Sequence, residues 1–277
     1  MHPATPPAPT AVVGHVEWVT HVIGSLPARG TIADLADPIE EPAGGGAVAA
    51  AAIARATGSA LLFTALGEGH AAGTASARLG RPGLEVLAAR RAAAQTPVLS
   101  ITGSDGERTI MVVGPRLQAT ADDPLDWERL ATCRACYYAG EDPGALLRAR
   151  SAPVLVVTAR RTADVLESRV VADVIVASAA DPDEDPSGLP AALRPRWTVL
   201  TDGPHGGTVT HRDGGSWRYP AAATPGPMVD AYGCGDTFAG CLAAALGRGD
   251  RMEHAVSFAA AEAARCTTWR GGLGPVR

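Results

Sequence analysis

Residues 228–246 read MVDAYGCGDTFAGCLAAAL, a turn with two glycines that runs straight into a stretch of small and apolar residues at helical spacing. The first N–H groups of a helix have no partner inside it, and the helix dipole adds partial positive charge there, so this turn suits an anion. Glycine lets the backbone approach a ligand closely. Gly233, Cys234 and Gly235 therefore form a candidate anion hole. Asp236, placed at its mouth, has two readings. It is a favoured residue at a helix start and could serve there as a cap. Alternatively it takes a proton from a hydroxyl while the backbone N–H groups hold a phosphoryl group in transfer.

The rest of the chain bounds that choice. Its 277 residues are 46% hydrophobic and 19% charged, the composition of a globular protein with one large α/β core. A net charge of −5 leaves no basic footprint for nucleic acid or an anionic membrane, and no apolar run reaches membrane-spanning length. The Pro-rich start, MHPATPPAPT, lacks the charged-then-apolar pattern of a signal peptide, so a cytoplasmic protein is expected. All 24 basic residues are arginine, and there is no asparagine, so neither lysine nor asparagine can serve a phosphate or a hydroxyl. Five cysteines do not make a disulfide framework, and Cys133-x-x-Cys136 has no second pair to complete a metal site.

Along the chain, residues 11–19 read as a first buried strand, and residues 20–42 as a projecting hairpin or flap. Gly44, Gly45 and Gly46 open an alanine-rich helix through Ala56, followed by a strand over residues 60–66. Residues 96–114 form a hairpin around Asp105-Gly106, a dipeptide that tolerates the positive φ of a tight turn. Strands over 135–139, 154–158 and 174–177 then alternate with helices over 143–150 and 162–167, the rhythm of a parallel sheet covered on both faces. Residues 197–201 add a strand, a meander follows, and helices over 234–246 and 251–269 close the chain.

The stretch from Asp230 to Phe238 resembles the C-terminal signature of the PfkB family, the ribokinase-like carbohydrate kinases, written D-T-x-G-A-G-D-x-F. Five of the seven fixed positions match: Asp230, Gly233, Gly235, Asp236 and Phe238. Weaker likenesses run along the chain: VVGHVEW with Gly14, PAGGGAVAAAAIARATG, ALGEGHAAG with Glu68 and Gly73, GERTI, and RCTTWRGG. The resemblance implies a three-layer α/β/α sandwich with a central, mainly parallel sheet and a small β lid over residues 20–42 and 98–113, all in one domain. It implies ATP- and magnesium-dependent phosphorylation of a sugar or sugar-like hydroxyl. Asp236 would be the catalytic base, and Gly233, Cys234 and Gly235 the anion hole. Asp230 would lie near the phosphates or help place the metal. Gly44 and Gly45 would line the acceptor, while Thr201, Gly203 and Gly206 would border the nucleotide.

The departures fall on the acceptor side. Where the family's first strand carries G-x-x-N-x-D, this chain has Glu17 at the Asn position and Val19 at the Asp position, so Glu17 is the candidate hydroxyl contact. The Asn after the glycine pair becomes Ala49 or Ala50. In place of N-x-x-E stands Ser178-Ala-Ala-Asp181, which makes Asp181 either metal support or part of a solvated acidic loop. A nucleoside acceptor would want an aromatic platform, and Trp18 alone offers one. A catalytically silent ligand-binding relative, or a nucleoside kinase of the same fold, is the alternative. The lid would be too small to bury its own apolar face, with Val98, Ile101, Ile110 and Val112 upon it, and predicts a homodimer through this flap.

Overall fold

The computed structural model describes residues 8–275; the first seven residues of the Pro-rich start lie outside them. The chain begins with β1 (Thr10–Gly14), β2 (Glu17–Ile23), β3 (Ala36–Ala43), α1 (Gly45–Thr57), β4 (Ala60–Glu68), α2 (Gly69–Leu79) and β5 (Leu84–Ala94). A hairpin of β6 (Pro97–Thr102) and β7 (Arg108–Val112) follows. Then come β8 (Ala135–Ala139), α3 (Pro143–Ala149), β9 (Leu155–Thr158), α4 (Thr162–Ser168) and β10 (Val174–Ser178). β11 (Trp197–Thr201), β12 (Gly207–His211), β13 (Ser216–Tyr219), α5 (Cys234–Gly247) and α6 (Met252–Cys266) complete it.

Nine strands form one sheet in the order β13-β12-β11-β10-β9-β8-β1-β4-β5. The ladders from β11 to β5 are parallel, and β11-β12-β13 turn antiparallel at the far edge. Side-chain alternation divides the core in two. On one face Val12, Leu62, Tyr137, Val156 and Val176 pack with residues of α1, α5 and α6. On the other, Val13, Phe63, Tyr138, Val157 and Ile175 pack with Leu146 of α3 and Val165 of α4. This is the three-layer sandwich expected, and the unbroken apolar runs of the central strands follow from burial on both faces.

The run expected as one strand over residues 11–19 is in fact two. It leaves the large sheet at Gly14 and enters a second, four-stranded lid sheet, β3-β2-β6-β7, at Glu17. Apolar residues continue across the break because Val16 is fully buried at the junction and Val19 is buried beneath the lid. The hairpin of β6 and β7 turns at Gly106, whose φ of 79° bears out the reading of Asp105-Gly106. No helix among the described residues is long and apolar enough to cross a membrane.

Candidate active site

The parallel strands β1, β8, β10 and β11 bring Gly14, Ala139, Ser178 and Thr201 to the same end of the sheet, their C-terminal end, where open α/β sheets bind ligands. The helix α5 starts at this level. Its entry residue Gly233 has φ 74°, and a Cβ there would lie 2.6 Å from Val48 Cγ1, so both conformation and packing demand glycine. Gly235, one residue inside the first turn, is exposed with open space around it. Cys234 is half-buried, and burial raises its thiol, which therefore stays protonated at neutral pH.

Asp236 stands in the first turn of α5, three residues after the N-cap Gly233, so it is not itself the N-cap residue. Its Oδ1 accepts a hydrogen bond from the Tyr137 hydroxyl of β8 at 2.9 Å. The same oxygen lies against Gly45, where a Cβ would come within 2.8 Å of it. Burial raises the Asp236 carboxyl above the usual range, while the Tyr137 bond and the nearby His15 work the other way. Burial, then the charge of Asp236, holds Tyr137 well above an ordinary phenol, so it is a donor throughout the working range.

On the acceptor side, Glu17 is buried and pairs through Oε1 with Arg116 Nε at 2.7 Å. Arg116 also lies 3.6 Å from Glu141 Oε1, the same oxygen that Arg161 binds. Burial acts to raise the Glu141 carboxyl, and Arg161 and Arg116 outweigh it. His15, between β1 and β2, is buried, which lowers its value; its Nε2 accepts the Gly45 N–H at 3.2 Å, so the neutral ring carries its proton on Nδ1. The Gly44 N–H donates to Tyr232 Oη at 3.3 Å. Gly45 therefore stands beside Asp236 and Gly44 beside His15 and Glu17, with both N–H groups engaged by this chain's own side chains. Val19 sits in an apolar cluster with Ala43, Val48, Val98 and Tyr232 and offers nothing to a hydroxyl. Trp18 points to the opposite side of β2 from Glu17, with Arg78 of α2 5.9 Å from its ring.

The residues expected to border a nucleotide lie at the end of β11 and in the loop behind it. Thr201 spends its hydroxyl on the Ala177 carbonyl at 3.1 Å. Gly203 faces open space, whereas Gly206, at φ 82°, is glycine because a Cβ would lie 2.0 Å from the Tyr219 carbonyl. His205 in this loop is exposed.

The two candidate metal residues are spoken for. Asp230 is fully buried; it accepts the Tyr232 N–H at 2.9 Å, the Gly271 N–H at 3.0 Å and the Thr102 hydroxyl at 3.3 Å. Asp181 binds Arg160 through one oxygen and accepts the Asp183 N–H through the other at 3.0 Å. No group of three His, Cys, Asp or Glu side chains among the described residues could hold a metal. Neither carboxylate fits as a direct ligand in this arrangement. The acid that shares the field of Asp236 from this loop is Glu184, raised by burial against the pull of Arg160, with the Ser178 N–H on its Oε2 at 2.8 Å.

Tyr137, His15, Arg116 and Glu184 escape a motif-based reading. Tyr137 alone carried a signal: a tyrosine inside a fully buried strand must find a partner for its hydroxyl. A cavity of about 540 Å³ is lined by Ala121, Asp122, Asp126 and Arg148 among others, and none of the site residues borders it.

A family model described as pfkB family carbohydrate kinase matches residues 11–276. Among solved structures, ribokinase from Thermotoga maritima superposes with a TM-score of 0.78 at 18% identity, covering 96% of this chain and 95% of that one. Ribokinase from Arabidopsis thaliana, solved with ribose and ATP, gives 0.72 at 20% identity over 96% and 95% of the two chains. Adenosine kinase from Sinorhizobium meliloti gives 0.75 at 14% identity over 98% and 96%. No curated protein matches the sequence.

Proposed function

The chain belongs to the pfkB family of carbohydrate kinases, and from that premise we propose that it moves the γ-phosphoryl group of ATP to a hydroxyl of a sugar or sugar-like molecule. Asp236 accepts the hydroxyl proton as the new P–O bond forms and the bond to the ADP oxygen breaks. The turn of Gly233, Cys234 and Gly235 holds the negative charge on the transferring group. The observation that carries this reading is a carboxylate held by the Tyr137 hydroxyl in the first turn of α5, beside an exposed, open glycine. Glu17, held by Arg116, orients the acceptor. Thr201, Gly203 and Gly206 give the nucleotide a backbone border. Magnesium comes with the ATP phosphates and keeps most of its waters, as it does in such sites. With Asp230 and Asp181 engaged as they are, no step is assigned to the ion. The protein works in the cytoplasm as one kinase domain, and its lid pairs with that of a second copy.

Asp236→Asn tests the assignment. Phosphoryl transfer should fall about 100- to 10,000-fold, the worth of a general base, with ATP binding retained. A fully active variant would place the base elsewhere.

One observation favours a second reading, a silent ligand-binding relative: the N–H groups of Gly44 and Gly45 are capped internally, and Val19 is apolar. ATP turnover with D-ribose, D-fructose, glycerol, myo-inositol and adenosine separates the two. Acceptor-dependent ADP release supports the kinase, and ATP binding without it supports the silent relative. A nucleoside acceptor has the weaker claim, since Trp18 faces Arg78.

A further inference from the structure

We propose that Tyr137 is a positioning residue for Asp236, holding carboxylate oxygen Oδ1 so that Oδ2 alone is presented to the acceptor hydroxyl. This deepens the preceding reading and rests on it. Oδ1 accepts the Tyr137 hydroxyl at 2.9 Å, and it faces Gly45 so closely that any side chain there would collide with it. A carboxylate fixed at one oxygen keeps one lone-pair direction for the incoming proton, which is what a base on a helix needs.

The origin of the contact lies in the strand. β8 has two adjacent tyrosines that alternation sends to opposite faces: Tyr138 among α3 and α4, Tyr137 among α1, α5 and α6. The Tyr138 hydroxyl donates to Asp164 at 3.0 Å, away from the site. Tyr137 is buried but for its reach to Asp236, and no other side-chain bond of its hydroxyl competes. A donor to the ionised form also stabilises that form, opposing the burial that favours protonation. The other titratable groups around this site are Glu17 in β2, Arg108 in β7, Arg161 before α4 and Glu184 after β10, with the neutral His15 before β2 and the protonated Tyr232 and Cys234 in the turn itself. Tyr137→Phe leaves all of them in place and removes one oxygen atom.

The test needs no known acceptor. The ¹³C carboxyl signal of Asp236, identified by its absence in Asp236→Asn, is titrated in the wild type, Tyr137→Phe and Tyr138→Phe. The midpoint should move to higher pH in Tyr137→Phe and stay unchanged in Tyr138→Phe, with thermal midpoints establishing that each variant is folded. With whichever panel compound turns over, kcat should fall about ten- to a hundredfold, the worth of a hydrogen bond to a charged group, with KM little changed. The acidic limb of the kcat profile should shift upward with it. A Tyr137→Phe midpoint that coincides with the wild type overturns the proposal and leaves Asp236 as base untouched. An active Asp236→Asn overturns both.

Discussion

Asp236 is under two opposed pressures, and their balance makes predictions on rate and on stability. Burial raises its carboxyl above the unfolded value, so the folded protein binds the proton more tightly than the unfolded chain. The stabilisation from that proton is full below the unfolded value and is lost as pH rises through the folded one. At neutral pH the ionised group therefore costs stability. Asp236→Asn, inactive in transfer, should unfold at a higher temperature than the wild type at pH 7, and the difference should shrink as the pH is lowered. Paired melting curves at pH 4 and pH 7 check this; an unchanged or lower midpoint at pH 7 would show that the carboxylate is not strained by its site. Activity has the opposite dependence, rising with pH as the base ionises.

At the scale of elements, Asp230 looks like a clasp. It joins the turn before α5 to β6 of the lid through Thr102 and to the C-terminal segment through Gly271. Next to it, Glu41 of β3 accepts the Gly272 N–H at 2.6 Å, and Arg270 donates to the His21 carbonyl of β2 at 3.2 Å. Asp230→Ala would leave two buried N–H groups without partners and should cost about 3 kcal/mol in chemical denaturation. A variant of unchanged stability whose magnesium dependence alone is altered would return Asp230 to the metal. The strand–helix rhythm from β8 to β11 and the glycine turn into α5 were legible in the sequence because burial on both faces and chain reversal leave local marks. Two other elements left none. β5, LEVLAARRAAA, is written in helix-forming residues and becomes a strand only because β4 offers it a ladder, a tertiary override of local preference. The passage from β1 to β2 was hidden because both sheets bury the same residue types. Within the site, the motif residues stood out, whereas Arg116 and Glu184 reach it from loops whose paths depend on the whole fold.

For the whole molecule the open question is what covers the lid. Val98 and Ile101 are already buried in the single chain, while Ile23, Ile39 and Ile110, which strand pairing sets on one face of the lid sheet, remain substantially exposed. An exposed apolar group of this kind on a four-stranded sheet fits an interface between two copies. Sedimentation at micromolar concentration should give twice the 28.2 kDa chain mass, and Ile110→Asp should halve it. A clean monomer would mean that the lid closes over substrate alone. The large sheet meets the same problem at its rim with a different answer. β5 is an open edge of eleven residues, and five alanines, two arginines and a glutamate make it a poor template for another strand. When it peels from β4 during folding, its composition returns it to helix or coil, not to the extended form that seeds cross-β growth. The residues that conceal this strand from a reader of the sequence thereby also shield the nascent protein from its neighbours.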